Sequence, residues 1–281
     1  NLDSVQSLWS KSAPSLDGNS GGSEWSDAQK VKTSINLVDL NGQMMAYHPF
    51  TLYIKNDKNN LYLAGQLEGQ GLDGKMDGAD FNSLVMDSFS IIFDNNGDGA
   101  ISVGEDKKSL YIINGAPFVQ DLHKAAEGQQ EEDEPQDTKG QIEYKPGVGA
   151  GPGSYVFEVA IPLNSGDKKD IRLKPGSKVR WNIVYMEKFN MSMIGTQFGG
   201  LTGYDSDNSG EWGTLELSTP TSARVAVEAP AAMASVAAPS KVTRASGNMP
   251  KGDINVFAAV MNDSDLSEKN LKFTGSHYDM M

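Results

Sequence analysis

The stretch F-S-I-I-F-D-N-N-G-D-G-A-I-S-V-G-E, residues 89–105, joins a strand pattern to a loop with the spacing of a metal site. From Asp94 onward it matches D-x-N-x-D-G-x-I-x-x-x-E, the pattern of an EF-hand calcium loop. The alternative is a polar turn, which residues rich in Asn, Gly and Asp form without metal. The predicted ligands are side-chain oxygens, or a backbone carbonyl at Ala100, from Asp94, Asn96, Asp98, Ala100, Ser102 and Glu105.

Both flanks of this loop have the alternation of strands. Phe89, Ile91 and Phe93 alternate before it, and Leu110 and Ile112 alternate after it. An EF-hand needs a helix on each side of its loop. We therefore interpret the loop as a calcium-binding connection in a β-hairpin rather than a calcium-triggered switch, and calcium is the cofactor that the sequence predicts.

Period-two alternation of apolar residues recurs along the chain, in residues 50–54, 61–65, 155–161 and 179–185, and residues 211–217 follow as a closing strand. Many short strands separated by turn residues predict an all-β, jelly-roll-like antiparallel β-sandwich. Residues 119–126 are predicted to form a short helix. Residues 127–137 contain six carboxylates, which predicts a solvated loop.

The composition divides the chain into four predicted parts. These are an N-terminal arm (residues 1–14), a calcium-binding sandwich (15–218), an Ala-, Pro- and Ser-rich linker (219–252), and an extended tail (253–281) with an extra strand. A tethered apolar strand can pair with its own sandwich or with the edge of another copy. The residues predicted to bind a partner in this way are Ile254, Val256, Phe257 and Val260.

The overall charge restricts the possible partners. A net charge of −13 and a pI near 4.6 argue against nucleic acid and anionic membranes as partners.

The chain has no cysteine, which excludes disulfides, thiolate zinc sites and thiol catalysis. No apolar run approaches the ~20 residues of a transmembrane helix. The chain opens at Asn1 rather than Met, so we expect a processed protein that is secreted, extracellular or periplasmic.

Other clusters of polar residues carry weaker signals. A second candidate metal site places oxygens at alternate positions, but it lacks a distant bidentate Glu, so an Asx-rich turn is the favoured interpretation. Its residues are Asp205, Asp207, Ser209 and Glu211. Asp73, Asp77 and Asp80 form a third cluster, again interpreted as a turn. No nucleophile elbow, P-loop or dinucleotide fingerprint is present, and the sequence predicts a protein that is not an enzyme.

Several motifs, in their order along the chain, resemble the family 9 carbohydrate-binding module and the DOMON-like β-sandwich superfamily. They are L-D-G-N (16–19), S-E-W-S-D-A (23–28), Y-I-K-N-D-K-N-N-L-Y-L-A (53–64), Y-V-F-E-V-A-I-P-L (155–163), V-R-W-N-I-V-Y (179–185) and E-W-G-T-L-E-L (211–217). The resemblance implies a jelly-roll-like sandwich, usually exported, often with structural calcium and usually without catalysis. The superfamily includes sugar binders and domains that hold b-type haem, so the fold leaves the function open.

A sugar-binding module needs aromatic side chains on an exposed face. We expect Trp25, Trp181 and Trp212 to lie in the core, which leaves only Trp9 free. The tyrosines that could substitute are Tyr47, Tyr144 and Tyr204. For haem, the resemblance suggests Met and Lys axial ligands, and Met186, Lys188, Met191 and Met193 cluster in sequence. Core methionines and solvated lysines are the favoured interpretation of that cluster.

The function predicted from the sequence is a non-catalytic, exported, calcium-binding β-sandwich. It acts as a structural or assembly subunit of a filament, surface layer or complex through its C-terminal strand. Its predicted partner is another copy or another surface protein. A carbohydrate-binding module is the alternative, with a glycan as partner, and a b-type-haem electron-transfer subunit is a further one.

Overall fold

A computed structural model of the chain describes residues 4–38, 44–69, 72, 87–100, 102–113, 116–126, 129–186 and 212–220. Within these ranges no helix has the length and apolar character that a membrane crossing requires. The 3₁₀ helix Ser23–Trp25 is short. The strands are β1 (Ser4–Gln6), β2 (Leu8–Trp9), β3 (Gln29–Val38), β4 (Met44–Asn56), β5 (Asn60–Gly69), β6 (Ser88–Asp94), β7 (Asp106–Ile113), β8 (Ala116–Ala126), β9 (Gln129–Glu132), β10 (Lys139–Lys145), β11 (Gly153–Pro162), β12 (Lys178–Met186) and β13 (Gly213–Glu216).

These strands form two sheets. Sheet A has the order β1-β13-β12-β6-β7-β8-β9, and sheet B has the order β10-β11-β5-β4-β2, with β3 also paired to β4. The pairs are antiparallel except for β1 with β13 and β2 with β4, which are parallel. The predicted all-β sandwich is confirmed, and the predicted tail strand lies outside the described residues.

The core lies between the inner faces of the two sheets. Phe50 and Leu52 on β4 and Phe89 and Phe93 on β6 are at most 1% exposed. The ring centroids of Phe50 and Phe89, from opposite sheets, are 6.4 Å apart. Burying each such side chain contributes roughly 1.5–3 kcal/mol. This packing fixes β6, and it therefore fixes Asp94, the residue at which β6 ends.

The N-terminal residues belong to the sandwich. Residues 4–9, assigned from the sequence to an arm, form β1 and β2, which pair with β13 of sheet A and β4 of sheet B. Val5 is buried in the core. Between the two strands, the hydroxyl of Ser7 accepts a hydrogen bond from the N–H of Ser218 at 3.0 Å. The prediction of a separate arm is therefore wrong for residues 4–9, because this segment links the two sheets.

Two other local predictions are also wrong. Residues 119–126 lie in strand β8 rather than in a helix, because they pair with β7 as far as His123 and with β9 from Leu122 onward. The local preference for helix is weak, and pairing with a neighbouring strand outweighs it. Residues 129–132, predicted as part of a solvated loop, form β9 against β8. Asp133, the next residue, is only 1% exposed.

Candidate metal centre

Residues 94–105, called the metal loop below, connect two adjacent strands of sheet A. Strand β6 ends at Asp94 and β7 begins at Asp106, and the two strands are antiparallel with Phe89 opposite Leu110. The predicted hairpin connection is therefore confirmed. Because both strands are anchored in the core, the two ends of the loop, Asp94 and Glu105, are held next to each other.

Three predicted ligands of the metal loop lie together. One carboxylate oxygen from each of Asp94, Asp98 and Glu105 lies within 4.8 Å of the others. Asp94 and Glu105 are 2% and 4% exposed, and Asp98 is exposed. Calcium binds oxygens at about 2.3–2.6 Å, so oxygens around one ion are at most about 5 Å apart. The donor type and the spacing of these carboxylates fit calcium.

Backbone N–H groups hold the two buried carboxylates in place. Asp94 accepts hydrogen bonds from Gly97 N at 2.6 Å and Gly99 N at 3.2 Å. Glu105 accepts one from Ser102 N at 2.6 Å. Gly97 and Gly99 have φ values of 74° and 88°, which glycine adopts without the steric cost of a side chain. The N-G-D-G sequence therefore supplies the backbone geometry that brings both carboxylates to one point.

The other predicted ligands of the metal loop surround Asp98. The Asp98 carboxylate accepts hydrogen bonds from Ser102 Oγ at 2.9 Å, Asn96 Nδ2 at 3.0 Å and Ala100 N at 2.8 Å. Hydrogen bonds therefore connect five of the six predicted positions, since Ser102 N also donates to Glu105, and Asp94 lies beside them. Ala100 takes part through its N–H.

The charges in this loop repel one another. Burial and the nearby Asp94 and Asp98 carboxylates raise the pKa of Glu105 to about 7. Hydrogen bonds from Ala100 N–H and the Ser102 hydroxyl lower the pKa of Asp98. A site that holds several carboxylates together favours a divalent cation, because the cation offsets the burial and the repulsion that raise the pKa of Glu105.

A second group of carboxylates, which the sequence analysis missed, lies directly after the metal loop. Lys108 is buried with Asp106, Asp121 and Asp170, and we call these residues the Lys108 cluster. The ammonium nitrogen of Lys108 lies 2.8 Å from Asp106 Oδ1 and 2.9 Å from Asp170 Oδ1, and it also contacts Asp121 Oδ1. Burial alone would lower the pKa of Lys108, but the Asp106 and Asp121 carboxylates outweigh it and raise that pKa.

The sequence did contain one signal for this cluster. Leu110 and Ile112 point into the core, and alternation along the strand places Lys108 and Asp106 on that same inner face. Charged residues at inward positions of a strand require buried partners. The identity of those partners depends on strand register and on a distant loop, which alternation does not specify.

The motifs behind the family resemblance meet at another buried carboxylate. Glu158 is 0% exposed and accepts hydrogen bonds from Gly18 N and from Trp25 Nε1, both at 2.7 Å. One oxygen each from Asp17, Glu24 and Glu158 also lies within 4.8 Å of the others. Since the hydrogen bonds of Glu158 join it to Gly18 and Trp25, we interpret this group as the anchor that fixes residues 17–25 over sheet B.

The aromatic residues suggested for glycan binding differ in exposure. Trp25, Trp181 and Trp212 are buried, as predicted. Trp9, predicted to be free, is half-buried in β2. The Tyr144 hydroxyl donates to Leu72 O at 2.7 Å, and its ring packs against the core. Tyr47 alone among the tyrosines suggested for stacking is described as exposed, at 61%.

Tyr47 lies on the outer face of sheet B together with polar and aromatic side chains. Thr51 is four residues further along β4 and is paired with Gln66 on β5, so it shares this face. Gln66 Nε2 donates to Glu68 Oε1 at 2.9 Å. The Nζ atom of Lys30 on β3 lies 5.1 Å from the Tyr53 ring centroid. This surface combines an exposed aromatic ring with hydrogen-bonding groups.

The remaining predicted site residues lie outside the described residues. This holds for the second candidate metal site (205–211), the Asp73 to Asp80 cluster, the partner-binding residues of the tail, and Lys188, Met191 and Met193 of the haem alternative. Their roles stay predictions.

No protein-family model and no curated protein matches the chain. Among solved structures, one from Bacteroides uniformis aligns with a TM-score of 0.51 at 10% identity, over 76% of this chain and 98% of that one. That protein is named a "putative carbohydrate-binding protein". This likeness concerns the fold, a β-sandwich. Two structures of a family 9 carbohydrate-binding module from Caldicellulosiruptor kristjanssonii align with TM-scores of 0.49, at 14% identity (with cellotriose) and 15% (with glucose). They cover 78% and 79% of this chain, and 98% of theirs.

Proposed function

We propose that this protein is a non-catalytic β-sandwich module stabilised by calcium at the metal loop. The observation that carries the proposal is the convergence of Asp94, Asp98 and Glu105, with one oxygen of each within 4.8 Å of the others. Two of these carboxylates are almost fully buried and are oriented by backbone N–H groups. Little rearrangement is then needed for the ion to bind.

Calcium stabilises the folded state because it binds that state in preference to the unfolded chain. At a free concentration 100 times the Kd, the gain is about 2.7 kcal/mol. The ion would hold the end of β6 to the start of β7, since Asp94 ends one strand and Glu105 precedes the other. The proposed role of the metal is therefore a permanent clamp on the hairpin.

The test compares thermal unfolding in about 1 mM calcium, an extracellular concentration, with unfolding in chelator. For the wild type we expect calcium to raise the midpoint by about 5–10 °C. Asp94→Asn with Glu105→Gln should abolish the difference. Glu143→Gln, which alters a carboxylate with 49% side-chain exposure, should retain it. Equal wild-type midpoints in calcium and in chelator would contradict the proposal.

Glycan binding is the second candidate function, and the exposed outer face of sheet B around Tyr47 supports it. The likeness to the Bacteroides protein adds support through that protein's description as carbohydrate-binding. Aromatic rings bind the apolar faces of ligands while neighbouring polar groups fix their orientation. A glycan array should show binding that Tyr47→Ala abolishes. Val148→Ala, at a residue that is 94% exposed in a separate loop, serves as the control.

Assembly through the C-terminal strand stays a prediction. Deletion of residues 253–281 should reduce the particle size measured by light scattering if that strand joins one copy to another. The haem alternative is tested by the visible absorbance spectrum of the purified protein, and export by locating the protein in cell fractions.

A further inference from the structure

We propose that Asp106, Asp121 and Asp170 form a cation-binding cage that the ammonium group of Lys108 fills. The cage will bind a small ammonium ion or calcium once the Lys108 side chain is removed. The metal loop and this cage are separate sites, so the inference does not depend on the function proposed for the metal loop.

The first observation is a cation already seated among three carboxylates. One oxygen of each aspartate lies within 4.8 Å of the others, as around a calcium ion. The Lys108 nitrogen is within 2.9 Å of Asp106 and Asp170, and it bonds to Asp121. Lys108 and Asp121 are directly opposite each other on β7 and β8, and Asp170 comes from the loop after β11. Three separate segments therefore converge on one charge.

The second observation is that the protein orients each carboxylate from behind. Asp121 Oδ2 accepts a hydrogen bond from Thr138 Oγ1 at 3.1 Å, and Asp170 Oδ2 accepts one from Ser165 Oγ at 2.5 Å. Asp106 Oδ2 accepts one from Ile171 N at 3.2 Å. One oxygen of each carboxylate is thus held by the protein while the other faces Lys108. Ligands held by outer hydrogen bonds in this way are typical of metal sites.

The third observation is a further buried carboxylate, that of Asp133, beside the cage. Asp133 is 1% exposed, and neither of its oxygens accepts a hydrogen bond of good geometry, although His123 Nδ1 is 3.1 Å away and Lys169 Nζ is 3.4 Å away. Its N–H donates to Asp121 O at 2.9 Å, which places it beside the cage. These surroundings favour a cation.

An ordinary buried ion pair is the competing explanation, and the two explanations predict different results when the lysine is lost. A cage keeps its ligands in place and accepts a free cation of suitable size. If the contacts are an ordinary ion pair, no added cation restores the stability that is lost with the lysine. Lys108→Ala removes three methylenes and the amino group, which together equal the n-propylammonium ion.

We expect Lys108→Ala to lower the thermal midpoint by about 10 °C or more in chelator. Added n-propylammonium chloride should recover at least half of this loss, with no effect on the wild type beyond that of equal sodium chloride. By equilibrium dialysis, Lys108→Ala should bind one calcium ion more than the wild type. Lys178→Ala, which breaks an exposed ion pair, is the matched control and should show neither rescue nor an extra ion.

If neither n-propylammonium nor calcium stabilises Lys108→Ala, the cage proposal is wrong. A second variant decides the case in which Lys108→Ala does not fold. Lys108→Ala with Asp121→Asn and Asp170→Asn removes the uncompensated charge, so it should fold in calcium-free buffer and ignore both cations. A triple variant no more stable than Lys108→Ala would also overturn the proposal. If the wild type binds no calcium, only the function proposed for the metal loop is contradicted. The cage is tested by the additional calcium ion that Lys108→Ala binds relative to the wild type.

Discussion

The metal loop and the Lys108 cluster lie on either side of one peptide bond, between Glu105 and Asp106, and each gathers three carboxylates within 4.8 Å. In the Lys108 cluster an ammonium group from the chain contacts all three. In the metal loop, burial and the nearby Asp94 and Asp98 carboxylates raise the pKa of Glu105 to about 7, and burial and neighbouring carboxylates likewise raise the pKa of Asp106 in the Lys108 cluster. Under the proposed function, the chain itself supplies the cation for one group of three carboxylates, and an ion from solution would supply it for the other.

The two sites should therefore contribute to stability in different ways. Stabilisation by the Lys108 cluster is a property of the chain and should be the same with and without calcium. Under the proposed function, stabilisation by the metal loop would depend on the free calcium concentration, because it would result from binding. Removing groups from each site, with and without calcium, tests this division.

The largest effect is expected for Asp121→Ala. This change removes a carboxylate that is 0% exposed and leaves Lys108 with one buried partner fewer. Breaking a buried ion pair from one side costs about 3–5 kcal/mol. Urea unfolding should show this loss equally in calcium and in chelator. Glu143→Ala, at an exposed carboxylate, should change the unfolding free energy by less than about 0.5 kcal/mol. A loss confined to the calcium buffer would assign Asp121 to the metal loop instead.

A smaller effect on stability is expected from pH, and its direction follows from the raised pKa of Glu105. The pKa of Glu105 is about 7 in the folded protein against 4.5 for the free side chain. Between these values the folded state holds a proton that the unfolded state has released, so raising the pH through this window lowers the stability of the calcium-free protein. Saturating calcium should remove this contribution, because a bound ion keeps Glu105 ionised. Thermal midpoints at pH 5, 6, 7 and 8 on protein dialysed free of calcium provide the measurement.

Glu105→Gln is the control for the pH experiment. Asp106 and Asp137 also have raised pKa values, about 8 and about 7, because both are buried near other carboxylates. They contribute a slope of the same sign. The difference between wild type and Glu105→Gln isolates the contribution of the metal loop. Identical pH profiles for the two proteins would show that Glu105 does not titrate in this window.

The two sites also differ in how far the sequence could predict them. The metal loop is contiguous, so its spacing alone identified Asp94, Asp98 and Glu105 as neighbours. The Lys108 cluster joins residues 106, 108, 121 and 170, and their proximity depends on the register that places Lys108 opposite Asp121. The predicted helix over residues 119–126 concealed that register. A one-residue change of register would have turned Asp121 to the other face of the sheet.

The fold could be predicted from the sequence to a greater extent than the cluster could. Alternation identified β4, β6, β11 and β12 because their inner residues are large and apolar. It failed for the longer strands β3, β8 and β10, and also for β1, β2 and β9, which are at most four residues long. Strands this short carry too few alternating residues for a signal, and they are defined by the neighbours with which they pair. Glu158, which binds Gly18 and Trp25, shows that the family motifs encode framework contacts.

The smallest effect is expected for the exposed ion pair between Lys178 and Glu216. Their charged atoms are 3.0 Å apart, a distance similar to those around Lys108, but the side chains are 64% and 36% exposed. Water screens such a pair, and its contribution is about 0–1 kcal/mol. Lys178→Ala should therefore change the urea midpoint little, and salt should remove what change there is. A loss as large as that of Asp121→Ala would show that distance, rather than burial, determines the strength of these contacts. Burial would then not be the reason that the contacts of Lys108 stabilise the fold.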